Sequence, residues 1–228
     1  MHITSLPSVG GIGDLGPAAY AFADFLQASG MKVWQMLPIC PTGYGESPYQ
    51  SPSAFAGSPW MISPEKLREQ GMLDYKDEEL YVPTRADQVD FQEVQKNRDE
   101  LLRRAFAKSG ESLSASIDEF RRRCSWAEDY ALFSALKAHF GGEMWTRWPD
   151  EDLHFRKPRA LSRYRWELKE EIDFQLFCQY LFRRQWAELK EYCSRKSILL
   201  FGDMPIYVAE DSADTWTHPE IFQLDRNR

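Results

Sequence analysis

Apolar residues along this chain recur with two different periods. Tyr20, Phe22, Ala23, Phe25 and Leu26 fall on one helical stripe, with Pro17 suited to a first helical position and Gly30 to the stop. Asp14, just upstream, is a candidate cap for that helix. The preceding segment His2–Leu6, ended by Pro7, reads as a short buried strand. Val33–Leu37, closed by Pro38, reads as another. Strand, helix and strand in this order form a βα repeat and imply parallel pairing.

The pattern then changes to helices and loops. A short helix is predicted over Pro64–Gly71, a charged helix with a thin apolar face over 91–108, and further helices over Ile117–Arg123 and Ala127–Phe140. Residues 74–90 are polar and turn-like, Gly141-Gly142 is a helix stop, and Trp145 to about Arg163 reads as irregular. The βα pattern resumes with the longest helix, 168–195, followed by the fully apolar run Ile198–Phe201, expected to be a buried parallel strand ending in Gly202-Asp203-Met204-Pro205. The fold class is therefore α/β, with three strands and a helical insertion before the third. In such folds binding groups collect at the C-terminal strand ends. Here those ends are Thr4-Ser5, Pro38 with its following loop, and Asp203, expected on one face.

The loop after Pro38 stands out. Pro41–Gly57 reads PTGYGESPYQSPSAFAG, dense in Pro, Gly, Tyr and Ser, with Glu46 its one ionised group. Gly and Pro punctuate the backbone, and aromatic residues on an ordered loop make a typical binding surface. Tyr44 and Tyr49 each offer a ring for a sugar face and a hydroxyl for its edge. Asp203 has two readings: it shapes its turn by accepting backbone N–H bonds, or its carboxylate bonds a polyhydroxyl ligand or positions a catalytic neighbour. Glu210, Asp211 and Asp214 fit a helix start favoured by the dipole, and Trp216 fits the core better than a stacking platform.

Composition excludes several classes. At 228 residues, 43% hydrophobic and 28% charged, the chain is an ordinary globular one. A net charge of −7 disfavours nucleic acid or an anionic membrane as partner. No apolar run approaches a bilayer span, and the N-terminus lacks a secretory pattern. The four histidines form no metal constellation, so neither metal nor cofactor is expected. Cys178 and Cys193 lie within one predicted helix, roughly 22 Å apart at about 1.5 Å per residue, beyond disulfide reach. With Cys40 and Cys124 they read as free thiols of a cytoplasmic protein. Nucleotide, zinc-protease and hydrolase-elbow motifs are missing from the sequence.

The blocks HITSLPS, GIGDLGP, WQMLP, PTGYGESPYQSPSAFAGSP and FGDMPIYVAEDSADTWTHPEIFQLD closely resemble the 4-α-glucanotransferases, also called amylomaltases (glycoside hydrolase family 77). The resemblance runs through the whole chain and is weakest between about 75 and 165. It implies the N-terminal part of a (β/α)8 TIM barrel with a largely helical inserted subdomain. Residues 1–60 would hold the first strands and the substrate loop, 61–166 the insertion, and 167–228 a barrel helix, the third strand and the following loop. It also implies transfer of a segment of an α-1,4-glucan to an acceptor sugar hydroxyl by a retaining mechanism. Maltooligosaccharides are the expected partners. By their place in the motifs, Tyr44, Ser47, Tyr49 and Asp203 resemble glucan-contacting residues, with Tyr44 assigned to a secondary glucan groove. Ser58 and Trp60 depart from the family's usual Asn and Leu at the loop edge.

One departure bears on catalysis. The family's nucleophilic Asp lies in an R-I-D-H-F-R type block, absent from these 228 residues, and its acid/base Glu lies later still. The chain is therefore expected to be an N-terminal fragment that begins at an internal Met, with its catalytic carboxylates beyond Arg228, and to be inactive alone. The rival readings are a non-catalytic α-glucan-binding module and an interaction protein that pairs through its helices.

Overall fold

A computed structural model describes residues 1–77 and 88–224, without the side chain of Tyr44. Helix α1 spans Pro17–Ala28 and strand β1 Val33–Gln35. Then come α2 (Pro64–Glu69), α3 (Phe91–Ser109), α4 (Ser114–Arg123) and α5 (Ala127–His139). Helices α6 (Glu151–His154), α7 (Pro158–Glu167) and α8 (Lys169–Arg195) follow, then β2 (Leu199–Phe201) and α9 (Ala213–Thr217). Prolines open α1, α2 and α7, where a missing N–H costs nothing. Ser63, Asp90, Asp150 and Ser212 cap α2, α3, α6 and α9 through their side chains.

Helix α8 is the hub. It carries neither Gly nor Pro, and α1, α3, α4, α5, α7 and β2 all pack on it. Beside it, Phe133 of α5 packs against Trp148 and Trp216, with ring centroids 5.8 and 5.9 Å away. Trp145 and Trp216 are fully buried, and their indole N–H groups donate to the Glu210 and Leu153 carbonyls. Trp216 is core, as its sequence context suggests.

Strands β1 and β2 pair in parallel, with Val33 opposite Leu199 and Gln35 opposite Phe201. Three expectations need correction. His2–Leu6 is not a strand: Ile3–Ser5 forms a 3-10 turn, closed by Leu6 N donating to the Ile3 carbonyl at 3.0 Å. The described sheet thus has two strands rather than three. Pro7 follows at once with no N–H to offer a ladder, while Ile3 still fills the core at 0% exposure. Second, the strands are not buried on both sides. Trp34 is 1% exposed, yet Leu199 and Phe201 are 70% and 59% exposed on the face turned from the helices. Third, the segment read as irregular contains α6 and the start of α7. The polar stretch 74–90 falls largely outside the described residues.

Candidate functional site

The Pro41–Gly57 loop is ordered by contacts at both ends. Gln179 of α8 reaches up to Gly57 with its whole amide. Its Nε2 donates to the Gly57 carbonyl at 2.9 Å, and its Oε1 accepts from Gly57 N at 2.8 Å. Gly57 has to be glycine, because a Cβ there would lie 1.9 Å from Cδ1 of Phe182. At the other end, a Cβ on Gly43 would lie 1.9 Å from the Gln50 carbonyl oxygen. Between these points Ser51 and Ser53 are buried and bond the loop to itself: Ser51 Oγ donates to the Ser53 carbonyl, and Ser53 Oγ accepts from Phe55 N and Ala56 N. Each of these neutral bonds contributes roughly 1 kcal/mol.

The segment after β2 is sewn onto the loop. Asp214 Oδ2 accepts from Ala54 N at 2.7 Å, and Ala213 N donates to the Pro52 carbonyl at 2.8 Å. Burial pushes the Asp214 carboxyl above its usual range, against the pull of the Ala54 N–H. Asp211 binds Lys137 at the end of α5 at 2.6 Å and accepts from Trp145 N at 3.2 Å. Thus Asp211 and Asp214 do more than complement a helix dipole; they clamp three stretches of chain together.

Tyr49 and Asp203 meet directly. The Tyr49 hydroxyl donates to Asp203 Oδ2 at 2.7 Å, while Asp203 Oδ1 accepts from Met204 N at 2.8 Å. Asp203 therefore shapes its turn with one oxygen, as the first reading expects, and turns the other to the loop tyrosine. The hydrogen bond to this carboxylate holds the Tyr49 phenol above its ordinary pKa. Both residues are exposed. Ser47 is half-buried, and its Oγ accepts from Tyr49 N at 3.3 Å, so it sets the approach of that ring. The side chain of Tyr44 lies outside the described residues; its backbone belongs to a 3-10 turn with Gly45 at φ 68°.

Two clefts flank this pair. One, of about 230 Å³, lies between Pro38, Gly57, Trp186 and Asp203. The other, of about 570 Å³, lies between Tyr49, Gln50, Lys137 and Tyr207 and falls in the size range of small-ligand sites. Pro38 and Asp203, two of the three expected strand-end positions, line the first cleft; Thr4 and Ser5 are not among its lining residues. Lys137, Gln179 and Trp186 escape a reading of the sequence, because nothing local sets them apart from the solvated charges and buried rings of their helices; Gln185, also buried, bonds Ser63 just as silently. Gln179 leaves one trace, a polar residue midway between the apolar Leu176 and Phe182 at i−3 and i+3.

The described residues contain no cluster of His, Cys, Asp and Glu able to hold a metal ion, and all four cysteines are free. No helix among them is long and apolar enough to cross a membrane.

The family model of the 4-alpha-glucanotransferases (Glyco_hydro_77) matches residues 1–228. The 4-alpha-glucanotransferase of Clostridium butyricum is 41% identical over 99% of this chain and 47% of its own length. That of Thermus thermophilus is 44% identical over 99% of the chain and 45% of its own length. The amylomaltase of Streptococcus agalactiae, solved in complex with acarbose, superposes with a TM-score of 0.96 at 40% identity, covering 100% of this chain and 46% of that one. The chain thus spans about half the length of the curated relatives it matches. By the match of the family model along its whole length, this chain belongs to the 4-alpha-glucanotransferase family.

Proposed function

We propose that this chain supplies a glucan-facing wall of a 4-α-glucanotransferase, which moves a segment of an α-1,4-glucan onto the hydroxyl of an acceptor sugar. The observation that carries the reading is the Tyr49–Asp203 hydrogen bond, which joins the two family motif blocks beside two clefts. The acarbose bound to the S. agalactiae amylomaltase supports an oligosaccharide ligand here too. Tyr49 offers its ring to a pyranose face, and Asp203 accepts from sugar hydroxyls. Ser47 positions Tyr49, and Tyr44 on the same loop adds a further sugar contact.

The retaining scheme needs a carboxylate nucleophile and a carboxylic acid about 5–5.5 Å apart. The 228 residues do not include the R-I-D-H-F-R block that carries the nucleophile, so their part is binding and orientation. The uncovered apolar face at Leu199 and Phe201 fits a layer of a (β/α)8 barrel interior, with residues 61–166 as a helical insertion between barrel segments 1–60 and 167–228. Unpaired thiols fit a reducing cytoplasm and a role in maltodextrin or glycogen metabolism.

The test is incubation of the whole encoded protein with maltotriose, followed by chromatography. Glucose together with longer maltodextrins is expected, and the 228 residues alone should yield neither. Binding without transfer by a protein that contains the R-I-D-H-F-R block would leave the glucan-binding-module reading. Transfer by the 228 residues alone would overturn the assignment of catalysis to other residues.

A further inference from the structure

A separate hollow of about 950 Å³ opens between α3, α4, α7 and α8, near the upper end of the volumes typical of small-ligand sites. Its apolar lining includes Phe106, Ile117, Leu132 and Ile172. Trp166 of α7 also lines it and is 82% exposed, whereas Trp34, Trp145, Trp148 and Trp216 are all almost wholly buried. An exposed indole beside a concave apolar surface offers a ring face on which a ligand can stack. Ile172 and Asp173 of this hollow lie about ten residues along α8 from the Phe182–Arg183 stretch of the first cleft. At about 1.5 Å per residue the two are roughly 15 Å apart.

The charges around the hollow decide what fits it. Glu128 binds Arg121 at 3.0 Å and Arg165 at 3.4 Å, and Lys169 pairs with Asp173. Its hydrogen bond to Arg121 holds the Glu128 carboxyl below the usual range, so that pair stays ionised. Arg165 also lies 3.7 Å from Asp129, so each of the three lining cations has a carboxylate partner, which leaves an anion little to bind. Glu111 and Asp118 also line the hollow and carry no ion pair among the described residues, so they remain free to accept hydrogen bonds. The same two carboxylates would also attract a cation, so a cationic ligand is the rival that the titration has to exclude. A neutral ligand rich in hydroxyls uses both of these carboxylates as acceptors and offers an apolar face to Trp166.

We propose that this hollow is a second carbohydrate site, in which a neutral α-glucan stacks on Trp166 while Glu111 and Asp118 accept its hydroxyls. The choice of an α-glucan, and with it of a neutral ligand, rests on the function proposed above; the acceptor carboxylates and the exposed indole belong to the hollow itself. The site would hold a distant part of a long chain whose other end occupies the Tyr49–Asp203 wall.

The test follows the tryptophan indole N–H signals of the whole protein by NMR during titration with maltoheptaose, with the Trp166 signal identified by its loss in Trp166→Phe. That signal is expected to shift, and to keep shifting in Tyr49→Ala. In the Tyr49→Ala background, Trp166→Ala should weaken the residual maltoheptaose binding roughly fivefold. Inorganic phosphate and choline should leave the signal in place. Maltoheptaose binding that never moves the Trp166 signal overturns this site while leaving the proposed function intact. Absence of any maltoheptaose binding overturns both. A shift with phosphate or choline but none with maltoheptaose overturns the neutral-sugar assignment.

Discussion

Tyr49 and Asp203 stand 154 residues apart in the sequence, and the hydroxyl of one lies 2.7 Å from the carboxylate of the other. The bond holds only while the phenol keeps its proton, and it fixes the ring beside the turn that follows β2. Tyr49 is thus oriented by the element it faces as well as by its own loop.

A first prediction concerns the ionisation of Tyr49. Its pKa is raised by the Asp203 hydrogen bond, so the midpoint of its titration, followed through its own ring NMR signals, should lie above the ordinary value of about 10. Asp203→Ala should bring it back down. Because the folded pKa lies above the unfolded one, any stability from this bond is present below the unfolded value and lost as pH rises through the folded one. A Tyr49 titration unmoved by Asp203→Ala would break the link.

The Gly57 contact makes a second. Gly57→Ala would push a methyl group into Phe182, so the variant should lose about 1–3 kcal/mol in chemical denaturation. Phe182→Leu in the same chain should recover part of that loss. Additive losses in the double variant would show that the two positions do not touch.

The third concerns a buried ion pair. Asp14 and Arg98 are 3% and 2% exposed and 3.5 Å apart, with Arg98 also donating to the Ile62 carbonyl at 2.8 Å. Burial pushes the Asp14 carboxyl up, and Arg98 pulls it back. Arg98→Ala should therefore cost about 3–5 kcal/mol at pH 7, by stranding a buried carboxylate. The raised folded pKa means that the protonated form favours folding, so the deficit should shrink on acidification towards pH 4. Thermal melts at the two pH values check this, and a deficit that grows in acid would refute it.

Thiol reactivity supplies the fourth. Cys40, Cys178 and Cys193 are buried, and burial pushes each thiol above its ordinary pKa; Cys193 is pushed up to about 11. Cys124 is only partly buried. A disulfide reagent at pH 8 should modify Cys124 quickly and the other three only as the protein opens. Fast modification of Cys178 would contradict the packing of α8.

Most of the helices were legible, because the 3.6-residue period of apolar positions and the Pro, Asp and Gly punctuation agree at α1, α3 and α5, while α8 shows itself by length and period alone. The strands were legible as apolar runs and misread in detail. Nothing local distinguishes His2–Leu6 from a strand until the Leu6 N–H turns back to Ile3. Nothing in Ile198–Phe201 reveals that one face of the strand is uncovered. At the site, Tyr49 and Asp203 were each visible from their motif blocks, but a partnership across most of the chain has no local signature. Arg98 did leave a trace: it sits four residues after Val94 and three before Leu101, on the apolar line of a charged helix. A cation in that register marks either a mistake in the pattern or a buried partner, and here the partner is Asp14.

The parallel pairing of Val33 with Leu199 also sets a timetable for synthesis. Strand β1 leaves the ribosome about 165 residues ahead of its neighbour, a wait on the order of ten to thirty seconds at about 5–20 residues per second. Helices α3 to α5 need no such delay, since their backbone bonds are local. The nascent chain would therefore carry separate helices and an unmatched strand until α8, their common packing surface, emerges just ahead of β2. Until β2 arrives, Trp34 lacks its neighbour across the sheet, which makes the N-terminal segment a natural client for a chaperone during translation.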